Sequence, residues 1–186
     1  WPVAGEVFKE GTYEIESERR GYALELAVDF VRMEYTRHRF WEKDDTPVVP
    51  LKSQTLEDVI GTWPQGKINV RIGDYMFRPH QKWTITAVPD GGGYLGGPYY
   101  KIVIEGTNRA LAATADAEVV TVPEFTGAPE QLWRIDQLTD GTYRIMPKEV
   151  PGTDKELVLV SVGDSTPSLG EFNMNSDNSK WNFRDH

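Results

Sequence analysis

The chain contains no cysteine in its 186 residues. Disulfides, cysteine nucleophiles and thiolate metal sites are therefore excluded together. Histidine is scarce too: His38, His80 and His186 are the three present, and no two stand at the His-x-x-x-His spacing, so no metal site is expected. A Gly-x-Ser-x-Gly nucleophile motif is absent. Carboxylates are plentiful, but nothing in their spacing selects a pair for glycoside hydrolysis, and no residue is singled out as catalytic. Gly91-Gly92-Gly93 with Gly96-Gly97 lacks the Gly-Lys-Ser/Thr ending and following helix of a phosphate loop. It reads as a flexible connector, and no cofactor is expected. Long apolar runs are missing as well. None approaches the ~20 residues of a membrane helix, so no membrane insertion is expected. Positive charge is in deficit, with 20 Lys+Arg against 29 Asp+Glu and a net charge of -9. Nucleic acid, which wants a basic face, is excluded as a partner.

What the chain does have is tryptophan in a pattern. Trp83 stands in His80-Gln81-Lys82-Trp83-Thr84-Ile85, Trp133 in Glu130-Gln131-Leu132-Trp133-Arg134-Ile135, and Trp181 in Ser179-Lys180-Trp181-Asn182-Phe183. The gaps between them are 50 and 48 residues. A second phrase opens each unit: Gly11-Thr12-Tyr13-Glu14-Ile15, Tyr100-Lys101-Ile102 and Gly141-Thr142-Tyr143-Arg144-Ile145. Self-similarity at a fixed period decides the fold before any local reading. It predicts three copies of one small all-β unit, at about 11–90, 98–139 and 141–186, in a single domain over 1–186.

The local patterns agree. Leu24, Leu26, Val28 and Phe30 alternate with Glu25, Ala27 and Asp29, and Ile68, Val70 and Ile72 alternate with Asn69 and Arg71, the period of a strand. Val119 to Val122 is β-branched and stopped by Pro123. Leu157 to Ser161 reads as a buried strand. The best short helix is Ser53 to Ile60. Tyr13 to Trp83 spans 70 residues where Tyr100 to Trp133 spans 33. The first unit therefore carries an insertion, placed between Arg32 and Trp63 and rich in charged and aromatic residues from Arg37 to Asp45.

Three units with an early Tyr-x-Ile and a late Gln-x-Trp resemble a β-trefoil of the ricin-B type, closest in flavour to the cysteine-free trefoils of fungi. The resemblance implies a non-enzymatic binding protein. In that family a carboxylate after the second strand's apolar pair grips sugar hydroxyls, an aromatic ring stacks on the sugar, and an amide near Gln-x-Trp completes the site. Carried over by position, the carboxylate is Glu25; Ala112 and Val160 stand at the equivalent places in the other repeats. The implied carbohydrate site is Glu25 with Tyr35, Trp41 and His80. The same trefoil carries protease inhibitors of the mycocypin and serine-protease-inhibitor types. On that alternative the partner is a protease, and the inhibitory loop is Lys148-Glu149-Val150 between Pro147 and Pro151. The start, Trp1-Pro2-Val3, lacks a signal peptide's basic and apolar segments. A cytoplasmic location is expected, with secretion without disulfides as the alternative.

Overall fold

In a computed structural model of the chain, the described residues are 8–18, 23–28, 60–61, 63–94, 97–162, 166–173 and 175–185. They form twelve strands: β1 (Gly11–Ser17), β2 (Ala23–Leu26), β3 (Ile68–Gly73), β4 (Trp83–Tyr94), β5 (Gly97–Ile104), β6 (Ala110–Ala113), β7 (Val119–Val122), β8 (Trp133–Gln137), β9 (Tyr143–Pro147), β10 (Val158–Val162), β11 (Thr166–Gly170) and β12 (Trp181–Asp185). They fall into three sets of four. The first and last strand of each set close a six-stranded barrel: β1 pairs with β4 and β12, β5 with β4 and β8, and β9 with β8 and β12. The middle strands form three hairpins, β2–β3, β6–β7 and β10–β11. This is a β-trefoil.

The tryptophans set its geometry. Each lies directly opposite its own unit's tyrosine: Trp83 opposite Tyr13, Trp133 opposite Tyr100, Trp181 opposite Tyr143. All three are 0% exposed. Each indole N–H donates to a leucine carbonyl on the second strand of its unit, at 2.9 Å to Leu24, Leu111 and Leu159 in turn. A buried indole needs such an acceptor, so one side chain both fills the core and ties hairpin to barrel. The leucine precedes its tryptophan by 22 residues in the second and third units and by 59 in the first. The difference, 37 residues, is the size of the first-unit insertion. Before each tryptophan runs a 3-10 turn: Pro79–Gln81, Pro129–Gln131 and Asp177–Ser179. Proline suits the first position, where its missing N–H costs nothing.

The barrel's open end is sealed by a residue outside the repeat. The Phe8 ring packs on Tyr13, Tyr100, Tyr143 and Phe183 with centroids 4.6 to 5.9 Å apart. Tyr13 donates to the Lys9 carbonyl at 2.6 Å and Tyr100 to the Phe8 carbonyl at 2.9 Å.

Two local expectations change, and a third falls almost wholly outside the described residues. The alternation predicted a strand through Phe30, but β2 ends at Leu26, where Val28 N–H turns back to the Leu26 carbonyl at 2.8 Å. The glycine-rich connector is the end of a β4–β5 hairpin with a bulge between Val88 and Gly93. The predicted helix Ser53 to Ile60 lies, except for its last residue, outside the described residues.

Candidate functional site

The three hairpins carry very different pairs at the position the resemblance singles out. Glu25 lies opposite Arg71 on β2–β3. Ala112 lies opposite Val120 on β6–β7, and Val160 opposite Ser168 on β10–β11. Only the first repeat places charge there.

Glu25 is 3% exposed. Strand alternation alone would turn it outward to water. The turn that precedes Trp83 closes over it instead, bringing His80 and Gln81, themselves 1% and 0% exposed. Arg71 Nε donates to Glu25 Oε2 at 2.5 Å, and Gln81 Nε2 donates to Oε1 at 2.7 Å. His80 Nε2 is 3.7 Å from Oε2, longer than a hydrogen bond but close enough for charge to matter. Gly73 makes the room: a Cβ there would sit 2.9 Å from Oε1. Burial pushes the Glu25 carboxyl up, but His80, Arg71 and Gln81 together pull harder and hold it below the usual carboxylate range. The carboxylate is thus charged at neutral pH and engaged with protein donors.

Gln81 also shapes the loop between β3 and the turn. Its Oε1 accepts from Met76 N–H at 2.8 Å and Arg78 N–H at 3.4 Å, and its Nε2 donates to the Asp74 carbonyl at 2.7 Å. Gln131 repeats the device, accepting from Thr126 N–H at 2.8 Å. In the first repeat the braced loop carries Tyr75, Met76 and Phe77. Phe77 is 71% exposed, has φ +58, and its ring lies 4.7 Å from that of Tyr75. A phenylalanine held in a left-handed backbone conformation and facing water is costly on both counts.

Arg71 is the polar counterpart. Its side chain is 44% exposed. Nε–H goes to Glu25, and one Nη2–H goes to the Val28 carbonyl at 2.8 Å. Among the described residues its other three N–H donors have no hydrogen-bond partner. The fork is aimed by the buried carboxylate beneath it.

Of the residues expected from the sequence, Glu25 and His80 come together here, while Tyr35 and Trp41 lie outside the described residues. Arg71, Gln81 and Phe77 were not among those expected. Lys148, Glu149 and Val150 stand elsewhere, on the loop between β9 and β10. Lys148 and Glu149 are exposed, Val150 is buried, and Lys148 Nζ lies 5.2 Å above the Tyr99 ring. Among the described residues no group of three or more His, Asp or Glu is placed to hold a metal ion.

Two predictions follow from the cluster and its surroundings. Glu25→Ala leaves Arg71 Nε without its acceptor and Gln81 Nε2 with the Asp74 carbonyl alone. Buried pairs broken this way cost ~3–5 kcal/mol; Arg71 reaches water, so the expected loss is about 2–3 kcal/mol, read by urea denaturation. A loss below about 0.5 kcal/mol would mean the cluster does not hold the hairpin. The second concerns Glu14, on the barrel wall and 4% exposed. Burial and the Glu16 carboxylate push it up to about 7, against the pull of Arg184. A carboxyl raised in the folded state keeps a proton that the unfolded chain releases, so stability falls as pH rises from the ordinary carboxylate range towards and past 7. Glu14→Gln should be more stable than wild type at pH 8, with the gap closing by pH 4. A melting-temperature series over that range checks it; a gap independent of pH contradicts it.

Residues 79–167 match the family model for ricin-type beta-trefoil lectin domain-like proteins. No curated protein sequence matches the chain. Among solved structures, the designed three-fold symmetric protein ThreeFoil resembles it with a TM-score of 0.60 at 18% identity, over 95% of this chain and 99% of its own. SeviL, solved bound to asialo-GM1 saccharide, gives 0.53 at 13%, over 95% and 98%. The β-trefoil lectin of the Vibrio vulnificus hemolysin/cytolysin, with N-acetyl-D-lactosamine bound, gives 0.58 at 13%, over 95% and 96%. A mosquitocidal holotoxin gives 0.63 at 14% over 96% of this chain, which spans 18% of that protein's length. At such identities the likeness is one of fold. The β-trefoil fold stands on both kinds of match and the ricin-B-like resemblance on the family model over residues 79–167; its fungal and mycocypin side draws no support from either.

Proposed function

We propose that the chain is a non-enzymatic carbohydrate-binding protein of the ricin-B-like lectin type, holding glycan on its first repeat. The observation that carries this reading is the asymmetry of the three hairpins. Among the described residues only the first keeps a charged pair there, and only there is an aromatic on the braced loop fully exposed, Phe125 on the second repeat's loop being half-buried. Arg71 would donate to adjacent sugar hydroxyls, with Glu25 fixing its guanidinium from below. Phe77 would cover the sugar's apolar face. The divided labour of polar fork and aromatic platform is what a polyhydroxylated ligand needs. Glu25 and His80 are positioning residues in this reading, since both are buried. The protease-inhibitor alternative has no comparable support in the family match.

A printed glycan array tests the reading. The whole chain should bind a restricted set of glycans, and Arg71→Ala should lose them. A charged hydrogen bond contributes ~1.5–3 kcal/mol, so affinity should fall roughly tenfold or more. Binding of no glycan by the wild type would overturn it.

A further inference from the structure

Glu25 and Gln81 stand where a ligand would look for an acceptor, yet both are spent on the protein itself. Glu25 Oε2 accepts from Arg71 Nε at 2.5 Å, and Oε1 accepts from Gln81 Nε2 at 2.7 Å. Gln81 Oε1 accepts from Met76 N–H and Arg78 N–H, and its Nε2 also donates to the Asp74 carbonyl. The two residues are 3% and 0% exposed. Closed off from solvent, neither is within reach of a sugar hydroxyl.

What does reach solvent is a donor. The Arg71 side chain is 44% exposed. Its Nε–H and one Nη2–H are committed to Glu25 and to the Val28 carbonyl. Nη1, on the side of the guanidinium away from Nε–H, keeps both its hydrogens free of the described residues, and Nη2 keeps one. A guanidinium accepts nothing in return. Asp74 is the exposed acid on the same loop, and among the described residues it makes no ion pair with Arg71.

The group is also held still. Arg71 sits on β3 opposite Glu25 in the β2–β3 register, and its two hydrogen bonds orient the fork. A preset guanidinium loses little freedom when it binds.

A sugar hydroxyl is a poor match for such a group. It accepts one N–H and leaves its own hydrogen seeking an acceptor, which the two buried side chains do not supply. A carboxylate or a sulfate presents acceptors only, and its bonds to arginine are charge-assisted from both sides. Phe77, 71% exposed on the braced loop, would still cover the apolar face of the ring.

We propose that the first-repeat site takes an acidic saccharide, with Arg71 bonding an anionic substituent, carboxylate or sulfate, on the sugar it holds. The proposal rests on the carbohydrate reading and names the class of sugar.

Its test is calorimetric titration of the whole chain with matched sugars: 3′-sialyllactose and 3′-sulfolactose beside lactose, and digalacturonate beside digalactose. At least one acidic sugar should bind roughly tenfold or more tighter than its neutral counterpart. The margin should shrink several-fold between about 20 mM and about 500 mM salt, as screening grows. In Arg71→Gln the acidic and neutral sugars should bind alike. Arg71→Lys, which keeps the charge but not the fork, should restore part of the margin. The wild-type comparison and its salt dependence need no variant, so they decide the matter even if Arg71→Gln fails to fold. Neutral sugars bound as tightly as acidic ones would overturn the proposal and leave the first-repeat glycan reading intact. A margin that survives in folded Arg71→Gln would put the anion elsewhere and overturn it too. Binding of none of the three acidic sugars would also overturn it, and the glycan array then decides the carbohydrate reading separately.

Discussion

Trp133→Ala should lower stability by ~3–5 kcal/mol, the range for large buried aromatics. The indole is 0% exposed, and its N–H holds Leu111 O at 2.9 Å. Truncation opens a cavity and strands that carbonyl as well. For a chain of this size the melting temperature should drop by roughly 10 °C. Trp133→Phe separates the two contributions, since it keeps most of the bulk and loses the hydrogen bond. It should recover more than half of the loss. By the repeat's symmetry Trp83→Ala and Trp181→Ala should fall in the same range. A value below about 1 kcal/mol for any one of them would contradict a core of three equivalent plugs.

The second large effect is expected at Phe8. Its ring contacts aromatic side chains of the first and last strands of the barrel, and Tyr13, Tyr100 and Tyr143 come one from each repeat. Removing it uncovers all of them together. Phe8→Ala should cost about 3 kcal/mol, near the lower end for aromatic truncation because the ring is only half-buried. Phe8→Leu should cost less than half as much. Guanidinium denaturation measures both. Equal stability of Phe8→Ala and wild type would show that the three tyrosines close the barrel unaided.

These two residues mark what the sequence made legible. Trp133 could be read because the repeat prints it three times at one offset, next to the same kinds of neighbours. A core position that recurs needs no tertiary knowledge to be found. Phe8 lies outside the repeated phrases, and its partners are set by barrel closure, a long-range event. Glu25 was found by position, yet its burial was not. Its strand pattern is that of a half-exposed face, and the 3-10 turn that covers it lies 54 residues further on, at Pro79. Arg71 became visible only with the β2–β3 register, which sets it opposite Glu25. A pairing of Ala23–Leu26 with Ile68–Gly73 was the missing step, hidden by the insertion between them. Phe77 had a usable signal in Tyr75-Met76-Phe77, an apolar cluster set just before a Gln-x-Trp phrase. The glycine-rich segment was misread because glycine is common both in loose connectors and in bulged hairpin ends.

The asymmetry of the three hairpins is the centre of the account, because the proposal of a glycan site on the first repeat rests on it. Calorimetric titration of wild type and Phe77→Ala with a glycan taken from the array tests it most directly. Phe77 is exposed, so its loss should leave the melting temperature nearly unchanged, since alanine keeps the Cβ that strains the left-handed backbone. Affinity should fall about tenfold, the equivalent of ~1.4 kcal/mol. Unchanged affinity in Phe77→Ala, with the fold intact, would place the glycan elsewhere and contradict the account.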